Sequence, residues 1–315
     1  MGGAEQRLSA NVIAAAREIM TAARYCALVT VDADHGKVYA GAVDLGPPAG
    51  AVASRGGASP AGDTTLDGGL AAGSLGTRIM VNLALVEEAE RVAALPVDGV
   101  GLLRAELLVT EALAGRHPRA LLAAGESQTF VDAMANALIR IGQAFGSRPV
   151  VYRAIDFRTN EFRDLQGGEA FEPIEANPMI GYRGCYRYLK ETDLFGLELE
   201  VLTRVRREAP NVHLMIPFVR TAWELAAVFE LIDRSPLGAD RALQRWIMAE
   251  VPSVVYWLSR YAQLGVYGVS IGSNDLTQLM LGVDRDSELL AELFDESDEA
   301  VLDAIESIVT GARAL

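Results

Sequence analysis

The chain has 315 residues, half of them apolar, and a formal net charge of -14 at pH 7. This size and composition allow a sizeable hydrophobic core in one large domain or two small ones. The acidic balance argues against nucleic-acid binding, which requires clustered Lys and Arg. No run reaches about 18 apolar residues, and charged residues interrupt the N-terminus, so the sequence predicts a soluble, cytoplasmic protein without a membrane span.

The N-terminal part of the sequence predicts a small head followed by a linker. Residues 10–24 have a helical pattern, and two alternating apolar runs then flank a turn at residues 34–36, which predicts a β-hairpin. Residues 46–76 are rich in Gly, Ala, Ser and Pro and lack periodic apolar positions, as is typical of a flexible linker. We therefore divide the chain into a head (1–45), the linker and a body (77–315).

In the body, short apolar runs alternate with helix-period segments, the pattern of a parallel sheet covered by helices. Seven strands are predicted, at residues 78–85, 97–106, 149–156, 177–184, 211–219, 245–253 and 266–275. The length of about 240 residues favours a TIM-type (β/α)8 barrel, although the pattern also allows an open doubly wound sheet. A barrel without its eighth strand has two unpaired edges, and we expect the head hairpin, another chain or dimerisation to cover them.

Polar residues follow most of the predicted strands, where the active site of such a barrel lies. They are Arg104, Arg153, Asp156, Arg183, Glu250, Ser273, Asn274, Asp275 and Arg285. Taken singly, each arginine is more often a surface ion pair, whereas a helix cap or a solvated loop is the less favoured alternative for Glu250 and Asp275. Together, forked guanidinium donors suit a small phosphate or carboxylate. Glu250 and Asp275 offer two hard oxygen ligands for Mg²⁺.

Long motifs in the body closely resemble the C-terminal phosphoenolpyruvate (PEP)/pyruvate barrel of the PEP synthase (pyruvate, water dikinase) family. They are "GVGLLRAELL", "AIDFRTNEFRDLQGGEAFEPIEANPMIGYRG", "LMIPFVRT", "MAEVPS" and "SIGSNDLTQLMLGVDRDSELLAELFDE". Pyruvate phosphate dikinase and the first enzyme of the sugar phosphotransferase system share this barrel. The segment "GRHPRALL" favours the synthase branch. The resemblance covers residues 77 to 310 approximately, and it implies a PEP-utilising transferase.

The resemblance also implies roles for the polar residues. Arg104 and Arg153 would hold the phosphoryl group, assisted by Arg183. Glu250 and Asp275 would bind Mg²⁺. The substrate carboxylate would be received by Ser273, Asn274 and Arg285. Magnesium is the one cofactor that these residues imply.

The sequence departs from the family in its N-terminal and C-terminal parts. The head resembles only the closing hairpin of the swivelling phosphohistidine domain, without the histidine-bearing segment and without the ATP-binding domain. We predict structural roles for His35, His117 and His213. The family's eighth strand, with its proton-transferring cysteine, is also missing, and Cys185 is predicted to be a buried core residue at the start of a helix.

Three hypotheses for the function remain open at this point. The first is a magnesium-dependent, dikinase-like phosphotransferase domain that binds PEP or pyruvate, forms a homodimer, and needs a separate ATP-grasp and phosphohistidine chain for turnover. The second is a lyase or aldolase that uses the same site to stabilise a pyruvate enolate. The third is a non-catalytic paralogue that binds the metabolite. Neither nucleic acid nor a membrane is an expected partner.

Overall fold

The computed structural model describes residues 78–314 and, in the head, the backbone of two strands. Strands β1 (Ala27–Asp32) and β2 (Lys37–Ala42) pair antiparallel. The turn of this hairpin, the predicted helix at 10–24 and the linker at 46–76 lie outside the described residues. That the hairpin derives from a phosphohistidine domain stays a prediction.

Six parallel strands form the wall of the body. They are β3 (Met80–Leu83), β4 (Gly99–Arg104), β5 (Val150–Arg153), β6 (Val212–Ile216), β7 (Arg245–Ala249) and β8 (Gly268–Ile271). The strand order is β2-β1-β3-β4-β5-β6-β7-β8, so each strand of the body lies beside the next in sequence. Sequential parallel order is that of a (β/α)8 barrel, and six strands make a curled half-barrel.

The predicted strand at 177–184 is wrong. This segment contains a 3-10 turn, Pro178–Ile180, and the next helix begins at Gly184. Pro178 has no N–H to donate to a sheet ladder, and Gly184 has a φ of +58°, which a strand does not accommodate. The described body therefore supplies six of the eight strands of a complete barrel, where the sequence predicted seven.

The two edges of the sheet differ in what the structure places beside them. Strand β1 pairs in parallel with β3, but only at two positions, Val31↔Val81 and Asp32↔Asn82. In the part of the chain that is described, β8 pairs only with β7. The expectation that a partner chain or dimerisation covers the open side stays a prediction.

Helices cover the outer face of the sheet. They are α1 (Ala89–Ala93), α2 (Ala105–Ala112), α3 (Pro118–Ala123), α4 (Ser127–Phe145), α5 (Thr159–Arg163), α6 (Gly184–Lys190), α7 (Thr192–Glu208), α8 (Ala222–Arg234), α9 (Ser253–Gln263), α10 (Ser273–Leu281) and α11 (Glu299–Arg313). Further 3-10 turns lie at Val86–Glu88, Gly168–Ala170, Pro236–Ala239 and Glu288–Leu293. None of the described helices is long and apolar enough to cross a bilayer.

Local sequence signals fix the ends of these helices. Helix α8 begins after Thr221, whose hydroxyl accepts the Glu224 N–H while the Glu224 carboxylate accepts the Thr221 N–H, as in a capping box. Helix α4 ends at Gly146, which takes a φ of +62° that favours glycine. The cap of α8 holds the start of that helix directly after the loop that follows β6.

The two faces of the sheet explain where the polar residues go. Side chains alternate along a strand, and a small cluster of Leu102, Val151, Met215 and Met248 fills the inner face. Their sequence neighbours, such as Leu103 and Tyr152, join the large core under the helices. Two residues beyond Leu102, Val151 and Met248, on the same face, stand Arg104, Arg153 and Glu250.

Candidate active site

A cavity of about 760 Å³ opens at the C-terminal edge of this inner face. Its lining includes every site residue predicted from the sequence: Arg104, Arg153, Arg183, Glu250, Ser273, Asn274, Asp275 and Arg285. These residues come from four strand ends and two loops, and they span 182 positions of the chain. The structure thus brings the predicted set together, while the role of each residue stays a prediction.

Arg183, just before α6, is held by a carboxylate from another loop. Its Nε and Nη2 donate to the two oxygens of Asp156 at 3.0 and 2.5 Å, and only 4% of Arg183 is exposed. Burial alone would lower the pKa of Arg183, but Asp156, Asp275 and Glu250 raise it above the ordinary arginine value. A bidentate pair fixes the guanidinium plane, so Arg183 is rigid and charged.

Arg153, at the end of β5, is fixed in a similar way. Its Nη2 lies 3.0 Å from Glu106 Oε2, and its Nη1 lies 3.9 Å from Asp156 Oδ2. The other Glu106 oxygen accepts the Asp156 N–H at 2.8 Å. The Arg153 Nε is buried without a hydrogen-bond partner among the described residues. A buried guanidinium with an unused donor is suited to receive an anion.

Glu250, directly after β7, is the most deeply buried of the predicted carboxylates. Only 1% of the residue is exposed, and its Oε1 accepts the Phe218 N–H at 2.6 Å. Burial, followed by the negative charges of Asp156 and Asp275, raises the pKa of Glu250 to about 8. This shift favours the neutral acid, whereas an approaching cation would favour the charged carboxylate.

Asp275, in the first turn of α10, is also buried and has a free oxygen. No described residue hydrogen-bonds its Oδ1, which lies 3.6 Å from Arg183 Nη1 and 3.9 Å from Arg285 Nη1. Such an atom needs a partner, because burying an unpaired carboxylate oxygen is costly. The geometry leaves this oxygen available to a cation or to a bridging water.

A magnesium ion fits this donor set only if the substrate completes its coordination. The described residues contain no cluster of three or more His, Cys, Asp or Glu side chains that could hold a metal. Mg²⁺ is commonly bound by one or two carboxylates plus substrate phosphate and water oxygens. Glu250 and Asp275, each with an oxygen free of protein hydrogen bonds, match that pattern.

The remaining predicted residues lie nearer to the mouth of the cavity. Arg104 and Asn274 are exposed, and Ser273 and Arg285 are half-buried. Arg104 has no ion-pair or hydrogen-bond partner within residues 78–314. These side chains are therefore freer to move than Arg153 and Arg183, as expected of groups that close on a ligand after it enters.

Sequence reasoning missed several residues of this cavity. Glu106 was placed at the end of the predicted strand 97–106 and received no role, and Asp156 was noted as a strand-end acid without a role, whereas each orders an arginine. Asn82 and Arg158 also line the cavity. The position of Asn82 on the inner face was detectable from the alternation along β3, whereas the Glu106–Arg153 pairing had no signal in the sequence.

Comparison with known proteins shows the family to which this chain belongs. The family model described as the PEP-binding domain of PEP-utilising enzymes matches residues 70–315. The chain belongs to this family. The match includes all six strands of the half-barrel and every predicted site residue.

Curated relatives of this PEP-utilising family member are named as synthases. The chain is 45% identical over 244 residues to the "Probable phosphoenolpyruvate synthase" of Staphylothermus marinus, a match that covers 76% of the chain and 29% of the relative. The "Phosphoenolpyruvate synthase" of Aeropyrum pernix is 41% identical over 302 residues, 91% of the chain and 35% of the relative. That of Escherichia coli is 36% identical over 260 residues, with shares of 75% and 33%. The chain thus spans about a third of these relatives.

Proposed function

We propose that the cavity binds PEP or pyruvate together with one Mg²⁺, and that the chain is the PEP/pyruvate half of a dikinase-like phosphotransferase. The observation that carries the proposal is the convergence of Arg104, Arg153, Arg183, Glu250 and Asp275 on one cavity in a member of the PEP-utilising family. The names of the relatives support the choice of substrate.

The charges that line the cavity support the need for a cation. Five arginines and six carboxylates line it, so its formal charge is slightly negative although its centre is rich in guanidinium groups. A multiply charged anion alone would meet net repulsion. A divalent cation between Glu250 and Asp275 reverses that balance, and it supplies Lewis-acid stabilisation of charge on a substrate oxygen.

We assign the protein groups as follows. Arg153 and Arg183, held rigid by Glu106 and Asp156, bind the phosphoryl group or the enolate oxygen that replaces it. Arg104 joins them from the mouth of the cavity. Ser273, Asn274 and Arg285 receive the carboxylate from the opposite side. Donors that are fixed before the substrate arrives stabilise developing charge without reorganisation.

Calorimetry with oxalate, a dianion that resembles the enolate of pyruvate, tests this proposal. We expect oxalate to bind when Mg²⁺ is present and to bind far more weakly when EDTA removes the metal. Acetate, which lacks the second carboxylate, serves as the control ligand. If neither oxalate nor PEP binds in saturating Mg²⁺, the proposal is wrong.

Turnover requires more than this chain in the proposed scheme. ATP-grasp and phosphohistidine modules, in a separate chain or in the rest of a longer protein, would supply the phosphoryl group, and residues 1–315 alone would not hydrolyse ATP. Release of pyruvate from 2-keto-4-hydroxy acids by the isolated chain would instead assign the same site to carbon–carbon bond cleavage. A coupled lactate dehydrogenase assay detects that pyruvate directly.

A further inference from the structure

Phe218, directly after β6, has a backbone conformation that is unusual for its residue type. Its φ is +49°, in the left-handed region, and the residue is 2% exposed. A bulky side chain in this region is strained, and such strain persists only where the surroundings hold it in place. A phenylalanine that only filled a core would adopt ordinary strand or helix angles.

The strained backbone directs an N–H group at Glu250. The Phe218 N–H donates to Glu250 Oε1 at 2.6 Å, so this oxygen is already occupied. The other oxygen, Oε2, lies next to Gly272, where an added Cβ would come within 2.7 Å of it. Phe218 thereby fixes the carboxylate so that its free oxygen lies beside the turn that leads to Asp275.

The aromatic ring of the same residue contacts the arginines. The guanidinium carbon of Arg183 lies 4.1 Å from the ring centroid, and that of Arg220 lies 4.4 Å from it. Arg220 in turn donates to the carbonyl oxygens of Gly181 at 2.6 Å and Arg183 at 3.4 Å. Burial lowers the pKa of Arg220, and a ring face attracts such desolvated cations.

The close approach of the ring depends on a glycine. An added Cβ at Gly184, whose φ is +58°, would lie 2.6 Å from the Phe218 Cβ and 3.1 Å from Asp156 Oδ1. The loop that carries Arg183 can therefore approach Phe218 only because residue 184 has no side chain. Ring, loop and carboxylate form one packed unit.

We propose that Phe218 is a positioning residue that sets the distance between the anion-binding guanidinium of Arg183 and the cation-binding carboxylate of Glu250. Its amide holds one group and its ring holds the other, so a single rigid residue fixes both. The inference rests on the proposed function and adds the element that aligns the two halves of the site.

Substitution of Phe218 by Leu and by Tyr, with Phe229→Leu as the control, tests the proposal. Leu removes the ring face but keeps the amide and most of the apolar volume, whereas Tyr keeps the face. Phe229 is equally buried and lies under Arg245 at 5.1 Å, away from the cavity. Phe218→Leu should weaken magnesium-dependent oxalate binding about tenfold, and Phe218→Tyr and Phe229→Leu should bind within about twofold of the parent.

Arginine side-chain NMR gives a readout that does not depend on ligand binding. The ring shields the Arg183 Nε–H proton, so this resonance, assigned with Arg183→Lys, should move downfield in Phe218→Leu and stay in place in Phe218→Tyr and Phe229→Leu. An unmoved resonance, or parental oxalate affinity in Phe218→Leu, overturns the inference. If the parent protein binds no oxalate, the proposed function fails. The Arg183 Nε–H resonance still tests whether the Phe218 ring lies against Arg183.

A further variant covers the case in which Phe218→Leu does not fold. Arg220→Gln removes the second guanidinium and its hydrogen bonds to the loop of Arg183, at a residue that is only half-buried. Oxalate affinity should fall about threefold to fivefold, with the Arg183 resonance displaced. Parental affinity together with an unmoved resonance contradicts the inference.

Discussion

Two groups of buried arginines and carboxylates within residues 78–314 differ in the open volume beside them. In the cavity, Arg153 and Arg183 pair with Glu106 and Asp156 beside about 760 Å³ of space. In the second group, which we call the His117 cluster (His117, Glu172, Arg187 and Glu191), the neighbouring void holds only about 20 Å³, the size of one water molecule.

The His117 cluster is covered by aromatic rings and held together by ion pairs and hydrogen bonds, although Glu172 Oε2 and Arg187 Nε have no hydrogen-bond partner among the described residues. His117 Nδ1 accepts the Arg119 N–H at 3.0 Å, so Nε2 carries the hydrogen that it donates to Glu172 at 3.0 Å. Arg187 pairs with Glu172 and lies over the ring of Phe162. Charge pairing alone therefore does not mark a binding site. Open volume beside unpaired polar atoms does, and this contrast can be tested.

The largest expected effect is on ligand binding, from Glu250→Gln. The amide cannot replace the carboxylate as a magnesium ligand, so oxalate affinity in Mg²⁺ should fall by about 100-fold or more. The melting temperature should not fall, because the amide is uncharged and its oxygen can still accept the Phe218 N–H. Calorimetry and thermal unfolding measure the two quantities. Retained metal-dependent binding would show that the cation lies elsewhere.

The His117 cluster should respond in the opposite way. Glu172→Ala leaves Arg187 without its buried partner, which should lower the free energy of unfolding by about 3 kcal/mol. Oxalate affinity at low temperature should stay within about twofold of the parent, because these residues do not line the cavity. Urea titration and calorimetry give both values. A large loss of affinity without a loss of stability would refute the contrast.

A pH-dependent effect is expected at Glu198, behind β5. Its Oε1 accepts the Tyr152 hydroxyl at 2.6 Å and the Ile155 N–H at 3.0 Å, and burial raises its pKa from 4.5 to about 7. The folded protein favours the neutral form of Glu198. The contribution of Glu198 to the unfolding free energy is therefore complete below pH 4.5 and is lost as the pH rises through 7. Relative to Glu198→Gln, the parent should lose about 3 kcal/mol of unfolding free energy between pH 4.5 and 8.

Urea titrations of the parent and of Glu198→Gln at several pH values measure that difference. Glu200, on the same helix α7 but exposed, supplies the control Glu200→Gln, which makes the same chemical change outside the core. A constant gap between the parent and Glu198→Gln from pH 4.5 to 8 would show that Glu198 is ionised throughout.

The smallest effect should come from Arg104, at the cavity mouth. Arg104→Ala removes an exposed guanidinium without a protein partner, so oxalate affinity should fall about tenfold while the unfolding free energy changes by less than about 0.5 kcal/mol. Arg207→Ala, on the exposed side of α7, serves as the control for the loss of one positive charge. Equal losses of affinity in the two variants would show that Arg104 acts only through its positive charge at a distance and does not contact the ligand.

The sequence predicted more of the strands than of the connections between them. Six of the seven predicted strands are present, because buried parallel strands read as continuous apolar runs bounded by polar residues. The segment at 177–184 was the exception, since its apolar residues belong to a turn that begins with Pro178. Short apolar runs with proline do not distinguish a strand from a buried turn.

The sequence by itself determined that the strand-end residues reach the cavity. The period of two along each strand and the polar residues at the strand ends place Arg104, Arg153 and Glu250 on one face and at one edge. Only the tertiary structure decided how these groups are held. Three contacts join side chains from different loops. Arg153 pairs with Glu106, Asp156 forms a bidentate ion pair with Arg183, and Phe218 lies between Arg183 and Glu250. Such contacts depend on distances across the fold, and no local pattern encodes them.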